Sequence, residues 1–586
     1  MTAATVTPDI AAWPPLQERE RAHGRRLLDW AAGTGGPRLC LVRGTAGSGK
    51  SRLLAWFMAG SAGHPRTVVH ALVLAEGLTA ESFAWEAGRL LGYGPLDPAR
   101  LIERVALDER PVLFLVPDLH RSGAGPVDLP SADPATLVAE LLVPLLELGH
   151  VRAIVEVGDT ELLPVDGAEV IDLGGDRDGT ESGGPPSFAD LLATVPHTAE
   201  GRPDWDGAPA PALRDILAAA LRAGDEGAAV RGLLSDPGFL VHGSATALTA
   251  VLADERLVVP GQLRQVWRRA APGLTGLYGD GTERAALLHA AAVGTDAPLA
   301  EYLRPLAERH PWSAVWARPD VPVTALALVP GAEPGLLAAD VTGRLAGYDL
   351  DTGALTAVHP ASGTSSVRPD GLAPRDGRSV LLLDGRTEAL LSHAPEDDPT
   401  AAFVLAHIAE HHGSAALTDA KARVTAVAGG AGSPYTVVGD RSGGLHLWPP
   451  AEYQDAPRSR PVHEGPVTAV AALELADEGL TLVFSAGADG SVRLWETSDE
   501  PMPAPVEQRE PMPLALAAAA TPEGPVLAVA WSDGALHLWH VLTGRLRPLP
   551  LPHPTRTLAL TPGGLLLTGG PEGLHAVRLR LDRLWD

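Results

Sequence analysis

The sequence predicts a multidomain protein with an α/β domain built on a parallel sheet, an all-helical middle segment and a C-terminal all-β propeller. Three observations lead to this fold class. The 586-residue chain is too long for one ordinary domain, strand-like and helix-like segments alternate in its first third, and a unit of about 44 residues recurs in its last half. The predicted divisions are an N-terminal tail (1–16), the α/β domain (17–175), a Gly/Pro-rich linker (176–211), a helical domain (212–318) and the propeller (319–586).

The α/β domain is predicted from apolar strand-like runs that are separated by helical segments. Such alternation is typical of a parallel sheet covered by helices on both faces. The predicted helices are 17–32, 51–59, one that begins at Thr79, and 134–148, and the predicted strands are 39–42, 67–74, 112–116 and 152–157.

The middle of the chain changes character twice. Residues 176–211 are rich in Gly, Pro, Asp and Ser, a composition typical of a linker. From Ala212 onward, apolar residues recur at helical spacing, as in Leu213, Ile216 and Leu217. This periodicity predicts about five helices before the propeller.

A glycine followed five residues later by a large side chain recurs through the last half of the chain. Alternating apolar positions precede most copies, and repeats of this kind are typical of β-propeller blades. Six copies predict six blades, and the long gap before Trp448, which includes residues 411–422, leaves room for a seventh. The copies are Gly343/Tyr348, Gly385/Leu390, Gly443/Trp448, Gly490/Trp495, Gly534/Trp539 and Gly573/Arg578.

One repeat carries a complete set of polar residues with a tryptophan, namely His463, Ser485, Asp489 and Trp495. The set resembles the buried hydrogen-bonded tetrad of WD-repeat blades, and the other repeats keep only parts of it. Because that tetrad fixes a turn in the family, we expect it to be structural and not catalytic.

The composition narrows the classes of function. Asp and Glu number 72 against 46 Lys and Arg, which gives a formal net charge of −26. So acidic a chain lacks the basic surface that binds phosphate backbones, and we expect no generic nucleic-acid partner. Cys40 is the single cysteine, so we expect no internal disulfide and a cytoplasmic location. Neither a signal peptide nor a membrane-spanning apolar run is recognisable, so we expect no membrane association.

The strongest chemical signal is the run Gly44-Thr45-Ala46-Gly47-Ser48-Gly49-Lys50-Ser51. It matches the phosphate-binding fingerprint GxxxxGK[ST] and lies between a predicted strand and a predicted helix. The glycines let backbone N–H groups curve around a phosphate, the lysine reaches the β- and γ-phosphates, and the serine hydroxyl ligates Mg²⁺. All eight residues are therefore predicted to bind ATP or ADP.

An acidic residue after a second buried strand would complete a Mg²⁺ site. Asp118 follows the predicted strand 112–116, and we expect it to hold the ion, directly or through water, together with Ser51. A plain turn aspartate is the alternative. Pro117 favours that alternative, because proline removes a donor from the strand ladder.

The surrounding residues predict slow or absent hydrolysis, and no catalytic residue is assigned. Asp118 is followed by Leu119 and His120, and not by a second carboxylate that could orient water. Only His120 or Glu109 could substitute, and nothing in their spacing favours them. Glu156 ends the next predicted strand, where a carboxylate about 4 Å from a γ-phosphate would cost about 4 kcal/mol. Either Glu156 points away from the site or triphosphate turnover is poor.

A phosphate-binding loop domain, a helical segment and a WD-repeat propeller together resemble the STAND class of signal-transducing P-loop NTPases. The segment 16–30 resembles the helix that precedes the loop in that class, and the runs 76–79 and 233–241 are similar to its bacterial members. In this class ADP holds a closed monomer, and exchange for ATP allows assembly once the repeat domain senses its ligand. The resemblance therefore implies a signalling switch with nucleotide-dependent self-association and a protein partner on the propeller.

Two hypotheses for the function stay open. In the first, ATP or ADP with Mg²⁺ controls a signal-transduction switch. In the second, the chain is a non-hydrolysing WD-repeat scaffold whose P-loop domain is structural or vestigial. The complete loop favours the first hypothesis and the missing carboxylate favours the second. A nucleotide-controlled switch with slow or absent hydrolysis accommodates both observations, and it is our prediction.

Overall fold

The structure of the chain, a computed structural model, divides into two compact units, Met1–Tyr278 and Gly279–Asp586. This division falls inside the predicted helical domain 212–318, whose last helices belong to the second unit. The structure describes residues 16–585 except 17, 34, 46, 63–64, 124–133, 159–160, 175–185, 224–226, 277–279, 330–334, 360–366, 376–377, 396, 431–432, 450–455 and 476–478.

The first unit is built on a five-stranded sheet with the order β2-β3-β4-β1-β5. All four neighbouring pairs are parallel, so the predicted parallel sheet is present. The fifth strand was not predicted from the sequence, and the second is much shorter than the predicted run 67–74. The strands are β1 (Leu39–Arg43), β2 (Ala71–Leu72), β3 (Val112–Val116), β4 (Val151–Gly158) and β5 (Glu169–Asp172).

Helices cover both faces of this sheet. Successive side chains of the buried strands point to opposite faces, and each face has its own apolar cluster with the helices that cover it. Leu41 packs with helices α3, α4 and α6, whereas its neighbours Cys40 and Val42 pack with α1 and α2. A single π-helical turn, Val138–Leu142, joins α5 to α6. These helices are α1 (Arg21–Ala32), α2 (Lys50–Ser61), α3 (Ala80–Leu90), α4 (Pro98–Leu107), α5 (Pro134–Leu137) and α6 (Val143–Glu147).

Helices also fill the middle of the chain, and seven of the described helices lie between residues 210 and 307, where about five were predicted. Five lie in the first unit and two begin the second. None of the described helices combines the length and the apolar character that a bilayer crossing requires. The helices are α7 (Phe188–Leu192), α8 (Ala210–Arg222), α9 (Ala228–Leu234), α10 (Pro237–His242), α11 (Ala245–Ala253), α12 (Leu263–Leu274), α13 (Gly281–Ala292) and α14 (Ala297–Ala307).

The rest of the second unit consists of antiparallel sheets that follow one another along the chain. Their strands are β6 (Trp312–Arg318), β7 (Ala325–Val329), β8 (Gly335–Ala339), β9 (Leu345–Tyr348), β10 (Leu355–His359), β11 (Pro369–Pro374), β12 (Val380–Asp384), β13 (Ala389–His393), β14 (Val424–Gly430), β15 (Ser433–Asp440), β16 (Gly444–Trp448), β17 (Arg458–Pro461), β18 (Val467–Leu475), β19 (Leu480–Gly487), β20 (Ser491–Glu496), β21 (Glu507–Gln508), β22 (Pro513–Thr521), β23 (Gly524–Trp531), β24 (Leu536–His540), β25 (Arg545–Pro548), β26 (Thr557–Leu560), β27 (Leu565–Gly570) and β28 (Gly573–Leu579). Two further helices are α15 (Pro399–Thr418) and α16 (Leu581–Leu584).

The sheets form a closed six-bladed propeller, which confirms the predicted six blades. The first strand of each sheet (β7, β11, β14, β18, β22 and β26) contacts the first strand of the next, and β26 contacts β7. These six strands line a central cavity of about 150 Å³. Strand β6 pairs with β28 as the outermost strand of the last blade. The strand that closes the ring therefore begins at Trp312, before the predicted domain start at residue 319.

The second blade explains the long gap in the repeat. It has three described strands, β11–β13, where the others have four. Helix α15 packs on the outer strand β13, in the place of a fourth strand. Because this helix fills most of the gap, the option of a seventh blade is wrong for the part of the chain that the structure describes.

Candidate functional site

The phosphate-binding run forms a tight loop between β1 and α2. Gly44, Gly47 and Gly49 have φ values of 142°, 78° and 99°, a region that residues with a Cβ atom rarely adopt. A Cβ on Gly44 would also come within 2.5 Å of Ser48 Oγ. The glycine spacing read from the sequence is thus what lets this backbone curl, and the curl ends at the N-terminus of a 12-residue helix. Ala46 lies outside the described residues.

Lys50, the first residue of α2, holds the loop from within. Its Nζ donates hydrogen bonds to the backbone oxygens of Gly44, at 2.7 Å, and of Thr45, at 2.8 Å. The side chain is buried, with 8% of the residue exposed. The ammonium is therefore fixed at the concave side of the loop, where a phosphate would need it.

Two hydroxyl groups of the loop have no partner in the structure. Thr45 Oγ1 and Ser48 Oγ are both buried, and neither makes a hydrogen bond. Buried hydroxyls are normally satisfied, because an unmet hydrogen bond costs about 1–3 kcal/mol. Both can donate to an oxygen atom, so the loop has spare donors that suit a phosphate.

Glu156 lies beside the lysine, against one of the two expectations from the sequence. Strand β4 neighbours β1, and Glu156 pairs in register with Val42. Its Oε1 is 3.6 Å from Lys50 Nζ, and the residue is 2% exposed. Its Oε2 is buried and has no hydrogen-bond partner. Glu156 therefore points toward the lysine and not away from it.

Opposing influences act on the ionisation of Glu156. Burial raises the pKa of this carboxyl group above its ordinary value, and the nearby charge of Asp118 raises it further. The Lys50 ammonium and a hydrogen bond from the backbone N–H of Asp118 act in the opposite direction. Glu156 thus lies within electrostatic reach of both groups that were predicted to handle the phosphates and the metal ion.

Asp118 follows β3 through Pro117 and is half-buried. Its φ of 55° is left-handed, which is uncommon for a residue other than glycine. A short 3-10 turn, Leu119–Arg121, follows it directly. Aspartate tolerates this conformation better than most residues and often adopts it in turns, so the backbone is compatible with a turn aspartate as well as with a metal ligand.

The predicted metal pair can be tested only through the chemistry of its donors. Ser51 is exposed in the first turn of α2, and Asp118 ends the strand two places away in the sheet. Among the described residues, no group of three or more His, Cys, Asp or Glu side chains could hold a metal ion. Mg²⁺ commonly takes one or two protein oxygens together with substrate phosphates. One hydroxyl and one carboxylate fit Mg²⁺ that arrives with a nucleotide, and not a resident ion.

The fold brings these groups to one edge of the sheet. The loop, Glu156 and Asp118 lie at the carboxyl ends of β1, β4 and β3, which are adjacent strands. Helix α2 after β1 covers one face, whereas the helices after β3 cover the other. Ligands of open α/β sheets bind at such a switch between faces, at the carboxyl ends of the strands.

The two substitutes for a hydrolytic carboxylate lie elsewhere. Glu109 is exposed before β3 begins, at the opposite edge of the sheet from the loop. The His120 ring packs against Gly158 so closely that a Cβ there would be 3.0 Å from it. Glu109 is therefore not part of the candidate site, whereas His120 lies beside the end of β4.

Sequence reasoning missed one further carboxylate beside the loop. Glu20 is 2% exposed, and its Oε1 would be 3.0 Å from a Cβ on Gly49. Its Oε1 also lies 3.2 Å from Arg52 Nη1 in the first turns of α2. The Arg-Glu sequence before α1 was the available signal, but spacing alone does not bring Glu20 to residue 49.

In the propeller, the structure brings together three of the four predicted tetrad residues. His463 Nε2 lies 2.9 Å from Ser485 Oγ, and His463 Nδ1 lies 3.3 Å from Asp489 Oδ1. Trp495 is buried but donates its Nε1–H to the backbone oxygen of Asp499 at 2.9 Å. The cluster ties the loop that carries His463 to the turn that carries Asp489, as a structural element would.

Comparisons with known proteins add little to this description. No protein-family model and no curated protein sequence matches the chain. Among solved structures, the match to the β-propeller domain of Cps50 (Swd1) from Myceliophteria thermophila has 18% identity and a TM-score of 0.30, and it covers 44% of this chain and 83% of that chain. The match to the WD40 repeats of RRP9 has 15% identity and a TM-score of 0.29, and it covers 46% and 97%. Since these TM-scores are low, the six-bladed assignment rests on the sheets described above.

Proposed function

We propose that the chain is an ATP- or ADP-binding regulator with slow or absent hydrolysis, and that its propeller is the platform for a protein partner. One observation carries the nucleotide part of the proposal. The glycine-rich loop at the N-terminus of α2 holds a buried lysine ammonium at its concave side, and it also carries two buried hydroxyls without partners.

Each part of the loop would contribute a different interaction. Backbone N–H groups at the start of α2 and the positive end of that helix would face the phosphates. Thr45 and Ser48 would donate from their hydroxyls, and Lys50 would supply the positive charge. Ser51 and Asp118 would hold Mg²⁺, which neutralises part of the phosphate charge when it is bound.

Slow hydrolysis is proposed because no described carboxylate is placed to orient water. Leu119, which follows Asp118, is buried in the apolar core. Glu156 faces the lysine, where its charge would oppose the charge that develops on a γ-phosphate. We expect turnover well below about 1 per second, the low end for working enzymes.

The partner part of the proposal rests on analogy of fold. A closed propeller exposes many loops at its rims, and such surfaces are common protein-interaction platforms, although a fold does not name a partner. We propose a protein partner there, a cytoplasmic location, and self-association that depends on the bound nucleotide.

A scaffold without nucleotide control is the second candidate, and a specific observation favours it. The Lys50 ammonium already contacts two backbone oxygens and lies near a buried carboxylate. A loop whose lysine is already paired within the chain suits a structural role that needs no bound nucleotide.

Nucleotide binding by two lysine variants of the full chain separates the two candidates. Lys421 is the only other lysine in the sequence, is exposed, and lies in the second unit. With fluorescent ADP and ATP analogues and Mg²⁺, we expect Lys50→Ala to weaken binding by about 10- to 150-fold, since a charge-assisted contact contributes about 1.5–3 kcal/mol. Lys421→Ala should bind as the wild type does. Equal affinity in wild type and Lys50→Ala would leave only the scaffold.

A further inference from the structure

The buried carboxylate beside Lys50 bears on which nucleotide the loop prefers. We propose that Glu156 determines phosphate specificity, so that the site favours nucleoside diphosphates and disfavours triphosphates. This inference rests on the proposed nucleotide site. It adds the class of ligand that the site holds and the residue that selects it.

The position of Glu156 follows from the sheet. Strand β4 lies between β1, which leads into the loop, and β3, which leads to Asp118. Glu156 therefore lies on the strand between the one that leads into the phosphate-binding loop and the one that leads to the residue proposed for Mg²⁺. Its Oε1 is 3.6 Å from the Lys50 ammonium, the group expected to reach the β- and γ-phosphates.

Glu156 lies inside the protein, beside both Lys50 and Asp118. It is 2% exposed, so it is not a charged group of the solvent-facing surface. Its Oε2 has no hydrogen-bond partner, although a buried unpaired carboxylate oxygen is costly. A carboxylate kept at this cost and directed at the lysine acts as an internal counter-anion for the loop.

Diphosphates and triphosphates should differ in affinity because their phosphate chains end at different points in the site. A diphosphate ends in the cradle formed by the loop and the start of α2, and it can share Lys50 with the carboxylate. A triphosphate adds negative charge on the side where Glu156 already lies. Like charges at such a distance repel strongly where water is excluded, so the third phosphate should bind poorly.

The test compares affinities for ADP, ATP and the β,γ-imido analogue of ATP, each with Mg²⁺, on the full-length chain. For wild type we expect ADP to bind at least about tenfold more tightly than either triphosphate. This measurement needs no variant. Equal or tighter triphosphate binding by the wild-type chain would overturn the inference.

Glu156→Gln then assigns the preference to one residue. The amide keeps the size of the side chain and removes the charge, so triphosphate affinity should rise by about tenfold, with a much smaller change for ADP. Glu156→Asp keeps the charge and should keep the preference. If Glu156→Gln raises both affinities equally, or if the preference survives in it, Glu156 does not select the phosphate number.

Glu20→Gln is the matched control, because Glu20 is also a buried carboxylate beside the loop but lies at Gly49 and pairs with Arg52. If Glu20→Gln changes the affinities for ADP and ATP, it should change both by the same factor. The ratio of the two affinities should therefore stay at the wild-type value. Thermal unfolding of each variant verifies that it is folded.

Failure of this inference can be distinguished from failure of the proposed function. Nucleotide binding that is lost in Lys50→Ala but shows no diphosphate preference removes the role of Glu156 and leaves the site. If the wild-type chain binds no nucleotide at all, both proposals are wrong.

Discussion

The two units place their defining residues in opposite ways. In the α/β unit, the phosphate-binding loop is one continuous run from Gly44 to Ser51, and its main contacts are made within that run. In the propeller, the ring closes only when β6 pairs with β28, a strand more than 250 residues later in the sequence. A local site can survive changes elsewhere in its unit, whereas a closed ring depends on contacts between the two ends of that unit.

Both units use glycine with positive φ, but for different purposes. In the loop, Gly47 and Gly49 let the backbone curl tightly before α2. In the blades, Gly443 and Gly490, with φ values of 90° and 76°, form the turns before the third strand. There a Cβ would strike the backbone of a neighbouring loop at 2.0 Å and 2.1 Å. The same residue type therefore shapes an isolated loop in one unit and allows close packing between loops in the other.

The largest expected effect is on ring closure. A chain of residues 308–586 keeps β6, whereas a chain that starts at residue 319 lacks it and leaves the edge of β28 unpaired. Trp312 is 1% exposed, so its loss also removes core. We expect the longer chain to be soluble with a cooperative thermal transition, and the shorter one to aggregate or unfold without cooperativity. Equal behaviour of the two fragments would show that the blades close without β6.

The next effect is on the stability of the second unit in acid, which should depend on its buried histidines. Burial lowers the pKa of His289 and His310 to about 4 and that of His412 to about 3, and all three lie in the second unit. Their pKa when unfolded is about 6.5, so the unfolded chain binds more protons below that pH. The free energy of unfolding should therefore fall as the pH drops from about 6.5 toward 4.

Calorimetry of the full chain between about pH 7 and pH 5 tests this prediction with His412→Gln. Glutamine can still accept the hydrogen bond that Trp448 Nε1 donates to His412, but it does not titrate. We expect the variant to lose about 2 kcal/mol less stability over this range. His393→Gln, on the outer strand β13, is the control. An unchanged acid dependence in His412→Gln would contradict the role of that histidine.

An effect of similar size concerns the polar cluster of the fourth blade. His463→Ala would leave the buried Ser485 hydroxyl without its partner and cut the link to Asp489. We expect the second unit to lose about 1–3 kcal/mol of stability in urea unfolding. Glu464→Ala, at the exposed neighbour, keeps the backbone N–H that Asp489 accepts and should cost far less. Similar losses in both variants would mean that the cluster contributes nothing beyond the loop itself.

Much of the fold could be predicted because its signals are periodic along the chain. The buried run of β3 and the recurring glycine turns were recognised from the sequence, and the six blades are confirmed. Strand β5, only four residues long, was not recognised because so short a run carries little pattern. The gap filled by α15 left two alternatives, since a missing motif does not distinguish a degenerate blade from an inserted helix.

The candidate site was predictable only in part. The loop from Gly44 to Ser51 and the position of Asp118 after a buried strand follow from sequence spacing. The direction of Glu156 does not, because a strand places alternate residues on opposite faces and the sequence does not say which face carries the lysine. Trp495 shows the same limit, since its Nε1–H donates to the backbone oxygen of Asp499 and not to the polar members of the predicted tetrad.

The sequence by itself determined the glycine-rich loop, its lysine and the repeat of six blades, because each depends on residues close together along the chain. Only the tertiary structure decided that Glu156 faces Lys50, that Glu20 packs against the loop and that β6 closes the ring. Parallel strands and closed rings join residues that are far apart in sequence, and the free energy that selects such contacts comes from burial and pairing in the whole unit.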